Sequence, residues 1–81
     1  MNKGLGNTGH QNGMKIRLLR VERDITLTDF AERLGVTLPY LSRIERQHTS
    51  ANVGLLLKIA REFGVSVDDL LRDETGAAQA A

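Results

Sequence analysis

A chain of 81 residues is long enough for one domain and too short for two. With no cysteine, disulfides, thiolate nucleophiles and thiolate metal ligands are excluded, so hydrophobic packing alone must hold the fold. The net charge of +1 hides a division, because residues 1 to 61 carry ten Lys/Arg against five Asp/Glu and the last twenty carry one against five, which suggests a basic surface for a polyanion and an acidic end that faces away from it.

Residues 1–13, MNKGLGNTGHQNG, contain four glycines and three asparagines, and glycine loses the most backbone entropy on ordering, so a flexible arm is expected there. From Met14 apolar residues recur at helical spacing: Met14, Leu18, Val21 and Ile25 fall on one line, with Ile16 and Leu19 beside it, which predicts a first helix to about Arg23. Thr26 and Asp29 have capping-box spacing, and Leu27, Phe30, Ala31 and Leu34 make the inward stripe of a short second helix closed by Gly35. Thr37 is suited to cap a third helix over residues 38–46, and Pro39 fits its first turn because the amide it lacks would be unpaired there. Leu41 and Ile44 point inward, whereas Pro39, Ser42, Arg43 and Arg46 share the opposite face, which is built for something outside the core. Asn52 opens a fourth helix with Leu56, Ile59, Ala60 and Phe63 inward and Gly64 at its end. Ser66 and Asp69 open a short fifth helix with Val67, Leu70 and Leu71 inward. Residues 14–72 thus form an all-α compact bundle of five short helices, followed by a disordered tail, 73–81; no alternating pattern predicts a strand.

The second and third helices, joined by Gly35, Val36 and Thr37, have the arrangement of a helix-turn-helix, in which the second helix projects from the body. Such a helix enters a groove about 12 Å wide and brings residues near its N-terminal end to the base edges; here these are Leu38, Pro39, Ser42 and Arg43. From IRLLRVERDITLTDFAERLGVTLPYLSRIERQ and the later LLLKIAREFGVSVDDLL, the chain closely resembles the phage-repressor and Cro-like (XRE-type) helix-turn-helix family over about Ile16 to Leu71, which implies a lambda-repressor-like DNA-binding domain.

The resemblance places the family's base-contacting positions on Leu38, Pro39 and Arg43, with Ser42 nearby and Arg46 towards the phosphates. The Arg43 guanidinium offers two parallel donors to guanine O6 and N7, worth about 1 to 3 kcal/mol of discrimination, while Leu38, where the family usually has a polar residue, and Pro39 offer apolar contact, as with a thymine methyl. Leu27 stands where relatives commonly have glutamine, so its contribution to a phosphate is through the amides at the start of the second helix. Thr26, Thr28, Tyr40 and His48 are further phosphate donors, which position rather than specify. The resemblance also implies a structural ion pair between Arg20 and Glu45. Asp24 replaces a glycine that commonly ends the first helix, and Gln47 and Ala51 replace the usual glycine and proline after the third, so the loop from Gln47 to Ala51 is expected to follow its own path.

The expectation is a transcriptional regulator, a repressor or autoregulator, that binds double-stranded DNA as a homodimer on a near-palindromic operator, with Leu55, Leu57, Leu70 and Leu71 as the apolar surplus for the dimer surface. The alternative is a protein-interaction module of the same fold, antitoxin-like or adaptor, which the apolar Leu27, Leu38 and Pro39 favour. An enzyme is not expected, because no histidine is paired with an acid and no glycine-rich loop follows a strand. Asp68 and Asp69 sit where acids stabilise a helix start rather than as a catalytic pair. His10 and His48 lie far apart without cysteine, so neither metal nor cofactor is expected. The longest apolar stretch, Val53–Leu57 with Gly54 inside it, is far below the roughly 20 residues of a membrane span. Lys3 has no apolar segment behind it, so no leader is read and the expected location is cytoplasmic.

Overall fold

Each helix begins where the sequence supplies a side-chain acceptor for an orphan amide. The computed structural model describes residues 11–71, which form α1 (Gly13–Glu22), α2 (Leu27–Leu34), α3 (Leu38–Glu45), α4 (Val53–Phe63) and α5 (Val67–Leu71), with no strand among them. Thr26 Oγ1 accepts from the Asp29 amide at 3.0 Å, Thr37 Oγ1 from Tyr40 at 3.3 Å and Asn52 Oδ1 from Leu55 at 2.8 Å. Ser66 and Asp69 complete a reciprocal box, at 3.1 and 3.3 Å. α1 is capped by Asn12, whose Oδ1 accepts from Lys15 at 3.1 Å. Caps of this kind are each worth about 1 kcal/mol, enough to fix the ends of helices too short to persist alone.

The helix ends share one device. α1, α2, α3 and α4 each terminate at a residue with positive φ: Asp24 (58°), Gly35 (75°), Gln47 (65°) and Gly64 (70°). In each, the following amide reaches back to a carbonyl in the last turn, as Val36 does to Ala31 at 3.0 Å and His48 to Arg43 at 2.8 Å. Glycine adopts this geometry without a Cβ penalty. Asp24 and Gln47 adopt it too, so the positions where the sequence lacks glycine keep the backbone turn, and Gln47 adds a bond of its own, its Oε1 accepting from the Gly13 amide.

The core is built from Ile16, Ile25, Phe30, Ala31, Leu34, Leu41, Ile44, Ala51, Leu55, Leu56, Ile59, Ala60, Phe63 and Leu70. Phe30 and Phe63 stack with ring centroids 4.9 Å apart, which couples α2 to α4. The Arg23 guanidinium lies 4.9 Å from the Phe63 ring centroid and donates to the Phe63 carbonyl at 3.0 Å. A single arginine thus closes the end of α4 by both charge and hydrogen bonding.

Three expectations are corrected. Of the line Met14, Leu18, Val21 and Ile25, the first three face outward, each more than half exposed, and Ile25, just past the helix, is buried, as is Ile16 beside the line; the helix packs on α3 and α5 through the neighbouring stripe. Of the apolar surplus on the later helices, Leu55 and Leu70 are core and Leu71 packs against it, leaving Leu57 exposed beside Val53. The third concerns the arm, since Gln11, Asn12 and Gly13 belong to the folded body. Buried Gln11 donates from Nε2 to the carbonyls of Ile44 (3.0 Å) and Thr49 (2.9 Å) and accepts at Oε1 from the Ala51 amide (3.0 Å). This amide side chain supplies the backbone partners that the loop after α3 cannot find within itself. The expected arm residues 1–10 and tail 73–81 lie outside the described residues.

The end of α3 is held to α1 by two further contacts. Arg20 is bidentate to Glu45, Nε to Oε2 at 2.8 Å and NH2 to Oε1 at 3.0 Å, and it donates from NH1 to the Ile25 carbonyl at 2.9 Å. Gly13 sits so close that a Cβ there would overlap the carbonyl oxygens of Ile44 and Glu45.

Three substitutions test the weight of these contacts. Gly13→Ala is expected to lower stability by about 1 to 3 kcal/mol through overpacking against backbone that cannot yield, read as a shift of the urea midpoint at constant slope. The Arg20–Glu45 side chains are only 11% and 6% exposed, so Glu45→Ala strands a buried guanidinium and is expected to cost about 3 kcal/mol. Arg33→Ala, in the exposed pair with Glu62, is expected to cost under about 1 kcal/mol; equal losses for the two would remove the structural weight given to Glu45.

Candidate nucleic-acid interface

The two faces of α3 have different partners. Leu41 and Ile44 are fully buried and Glu45 is buried against Arg20, which leaves Leu38, Pro39 and Arg43 exposed, followed by exposed Arg46 at the C-cap. The turn between α2 and α3 is set by Gly35 in the left-handed conformation, by Val36 packed against the core and by the Thr37 cap. Because the inward face is anchored at both Leu41 and Ile44, the outward residues sit at fixed positions instead of on a mobile segment.

The residues expected to contact bases therefore come together on one side: Leu38, Pro39 and Arg43 are exposed, and Ser42 is half buried beside them. The residues expected at phosphates are spread around this helix. Thr26 and Thr28 are exposed at the start of α2, and Leu27 is half buried between them. The Thr26 hydroxyl is occupied by the Asp29 amide, whereas the Leu27 and Thr28 amides, in the first turn, have no intrahelical acceptor. His48 is exposed in the loop after α3. Tyr40 is half buried and packs against the core. It lines a depression of about 270 Å³ with Val36, Asn52 and Lys58, and there Lys58 donates to the Leu34 carbonyl at 3.3 Å.

A larger depression, about 580 Å³, opens between α1, the start of α2 and the end of α3. It is lined by Met14, Arg17, Arg20, Leu27, Ser42, Glu45, Arg46 and Gln47. Three arginines face one glutamate, and that glutamate is already spent on Arg20. Arg17 is absent from the residues expected from the sequence. It lies outside the helix-turn-helix segment, and the signal that points to it is its place one turn before Arg20 on the same face of α1. Among the described residues no group of three histidines or acids is arranged to hold a metal ion, and no helix is long and apolar enough to cross a membrane. What the surface offers is donors and positive charge at fixed positions.

Comparison with known proteins points the same way. The chain matches the helix-turn-helix family over residues 16–70. The propionyl-CoA carboxylase regulator of Cereibacter sphaeroides is 45% identical over 62 residues, which is 76% of this chain and 13% of that protein. The HTH-type transcriptional regulator SinR of Bacillus licheniformis is 39% identical over 66 residues, covering 78% of this chain and 60% of the relative. The chain thus spans only part of the length of these curated relatives. Among solved structures, the master regulator for biofilm formation SinR in complex with DNA is similar with a TM-score of 0.68 at 38% identity, over 74% of this chain and 97% of that one.

Proposed function

The chain belongs to the helix-turn-helix family, whose members similar to it are transcriptional regulators rather than enzymes, and on that premise we propose that it is a sequence-specific regulator of transcription that binds double-stranded DNA with α3 in the major groove. The observation that carries this reading is the division of α3, with Leu41 and Ile44 buried and Leu38, Pro39, Arg43 and Arg46 exposed. A helix held by one face and basic on the other presents its first turns to base edges and its far end to the backbone. Arg43 is bidentate to guanine, Leu38 and Pro39 make apolar contact with bases, and Ser42 lies beside them. Arg46, Thr26, Thr28, Tyr40 and His48, with the Leu27 amide, meet phosphates. Two copies reading half-sites about 34 Å apart explain how the few contacts of one recognition helix compete with the genome, because the second half-site is met at a raised effective concentration. Leu57 and Val53 are the apolar residues that α4 leaves for a partner copy.

Binding of a selected operator and of random duplex, measured at several salt concentrations, tests this. Arg43→Ala is expected to lose about 1 to 3 kcal/mol on the operator and to relax preference at one base pair, whereas Arg46→Ala weakens both duplexes alike. Equal losses on both duplexes for both variants would remove Arg43 from base reading. Absence of salt-dependent binding to any duplex would instead favour the protein-interaction reading that the apolar Leu38 and Pro39 motivate.

Mass in solution is expected to rise from one chain to two with protein concentration or on the operator. A complex of one chain per full operator would rule out the dimer.

A further inference from the structure

The depression of about 580 Å³ between α1, the start of α2 and the end of α3 has an unbalanced charge. Arg20 is bidentate to Glu45 and bonded to the Ile25 carbonyl, so its charge is balanced by Glu45, the one acid that lines the depression. Arg17 and Arg46 also line this depression, one from α1 and the other from the end of α3. Both are exposed, and among the described residues neither has an acid within ion-pair distance. Ser42, a third donor, lies on the same wall. Met14 and Leu27 supply the apolar part of the lining and contribute no side-chain donor.

Two guanidiniums that line one open hollow gain from an anion placed between them, and a guanidinium matches the paired oxygens of a phosphate in plane and spacing. The geometry points to a seat for one backbone phosphate of the duplex, held between Arg17 and Arg46, so that α1 belongs to the DNA surface together with α2 and α3. This inference rests on the DNA-binding reading given above and deepens it by adding a residue from outside the helix-turn-helix. Its effect is positional: a phosphate fixed on the α1 side sets the rotation of α3 about the duplex, and the seat itself carries no base information.

Arg17→Ala, Arg46→Ala, the double change and, as a control outside the hollow, Arg61→Ala, all in the full chain, are titrated with the selected operator and with random duplex at low and high salt. Thermal melts serve as the check on folding, and Arg17→Ala is expected to melt as the parent does because its side chain has no ion-pair partner among the described residues. Arg17→Ala is expected to weaken both duplexes alike, roughly 3- to 10-fold at low salt, and to reduce the salt slope by about 0.9; Arg61→Ala leaves both unchanged. If the two arginines share one phosphate, the double change costs less than the two single losses combined. Parental affinity and slope for Arg17→Ala overturn the inference, as does a loss confined to the operator, which would make Arg17 a base reader. Strictly additive losses would place the arginines on separate phosphates and overturn the shared seat. A parent chain that binds no duplex sinks the DNA reading itself, a result distinct from each of these.

Discussion

The close approach of α1 to the last turn of α3 is the constraint on which the rest of the structure depends. Gly13 leaves no room for a side chain against the carbonyls of Ile44 and Glu45. Around that contact the Arg20–Glu45 pair, the Gln47 bond to the Gly13 amide and the Gln11 bond to Ile44 all gather within one turn. An eight-residue helix has little stability of its own, so its direction is set by what grips it. Leu41 and Ile44 grip its buried side, and the contacts with α1 grip its end. The exposed residues inherit their positions from both.

The same constraint explains why polar groups are buried where a core of 14 of the described residues leaves little to spare. Gln11 is 2% exposed, which would be costly without partners, yet it makes three hydrogen bonds and serves backbone groups in the last turn of α3 and in the loop from Gln47 to Ala51. Glu45 is buried only because a bidentate arginine accompanies it. The net contribution of such polar contacts to stability is modest. Their work is geometric, since a directional bond fixes the register of one helix end on another, which apolar contact alone leaves free.

Much of this was legible in the residues. Caps at Thr26, Thr37, Asn52 and Ser66 and stops at Gly35 and Gly64 are local rules with short reach, and each marks a real boundary. The helix-turn-helix follows from the spacing of those marks. What the sequence concealed depends on long-range packing. α1 has apolar residues on two stripes, and only its docking on α3 and α5 decides that Ile16, and not the line through Met14, Leu18 and Val21, turns inward. Gln11 reads as part of a glycine-rich polar segment because its partners lie more than thirty positions away. Leu55 and Leu70 look surplus until α5 is seen to close over the core. Arg17 is marked in the sequence only by its place one turn before Arg20, and what gives it weight is the depression it shares with Arg46, which is far from it along the chain.

Asn12 followed by Gly13 is the dipeptide in which an asparagine most readily cyclises to a succinimide and deamidates, because a glycine nitrogen has no side chain to hinder its attack on the amide carbon. Here that nitrogen donates to Gln47, and the asparagine oxygen is engaged with the Lys15 amide, so ring closure requires the bond at the nitrogen to break first. The hydrogen bonds that start α1 thereby make the folded chain resistant to a chemical ageing to which the unfolded chain is open, and the lifetime of the intact asparagine becomes tied to how seldom this end of the molecule opens.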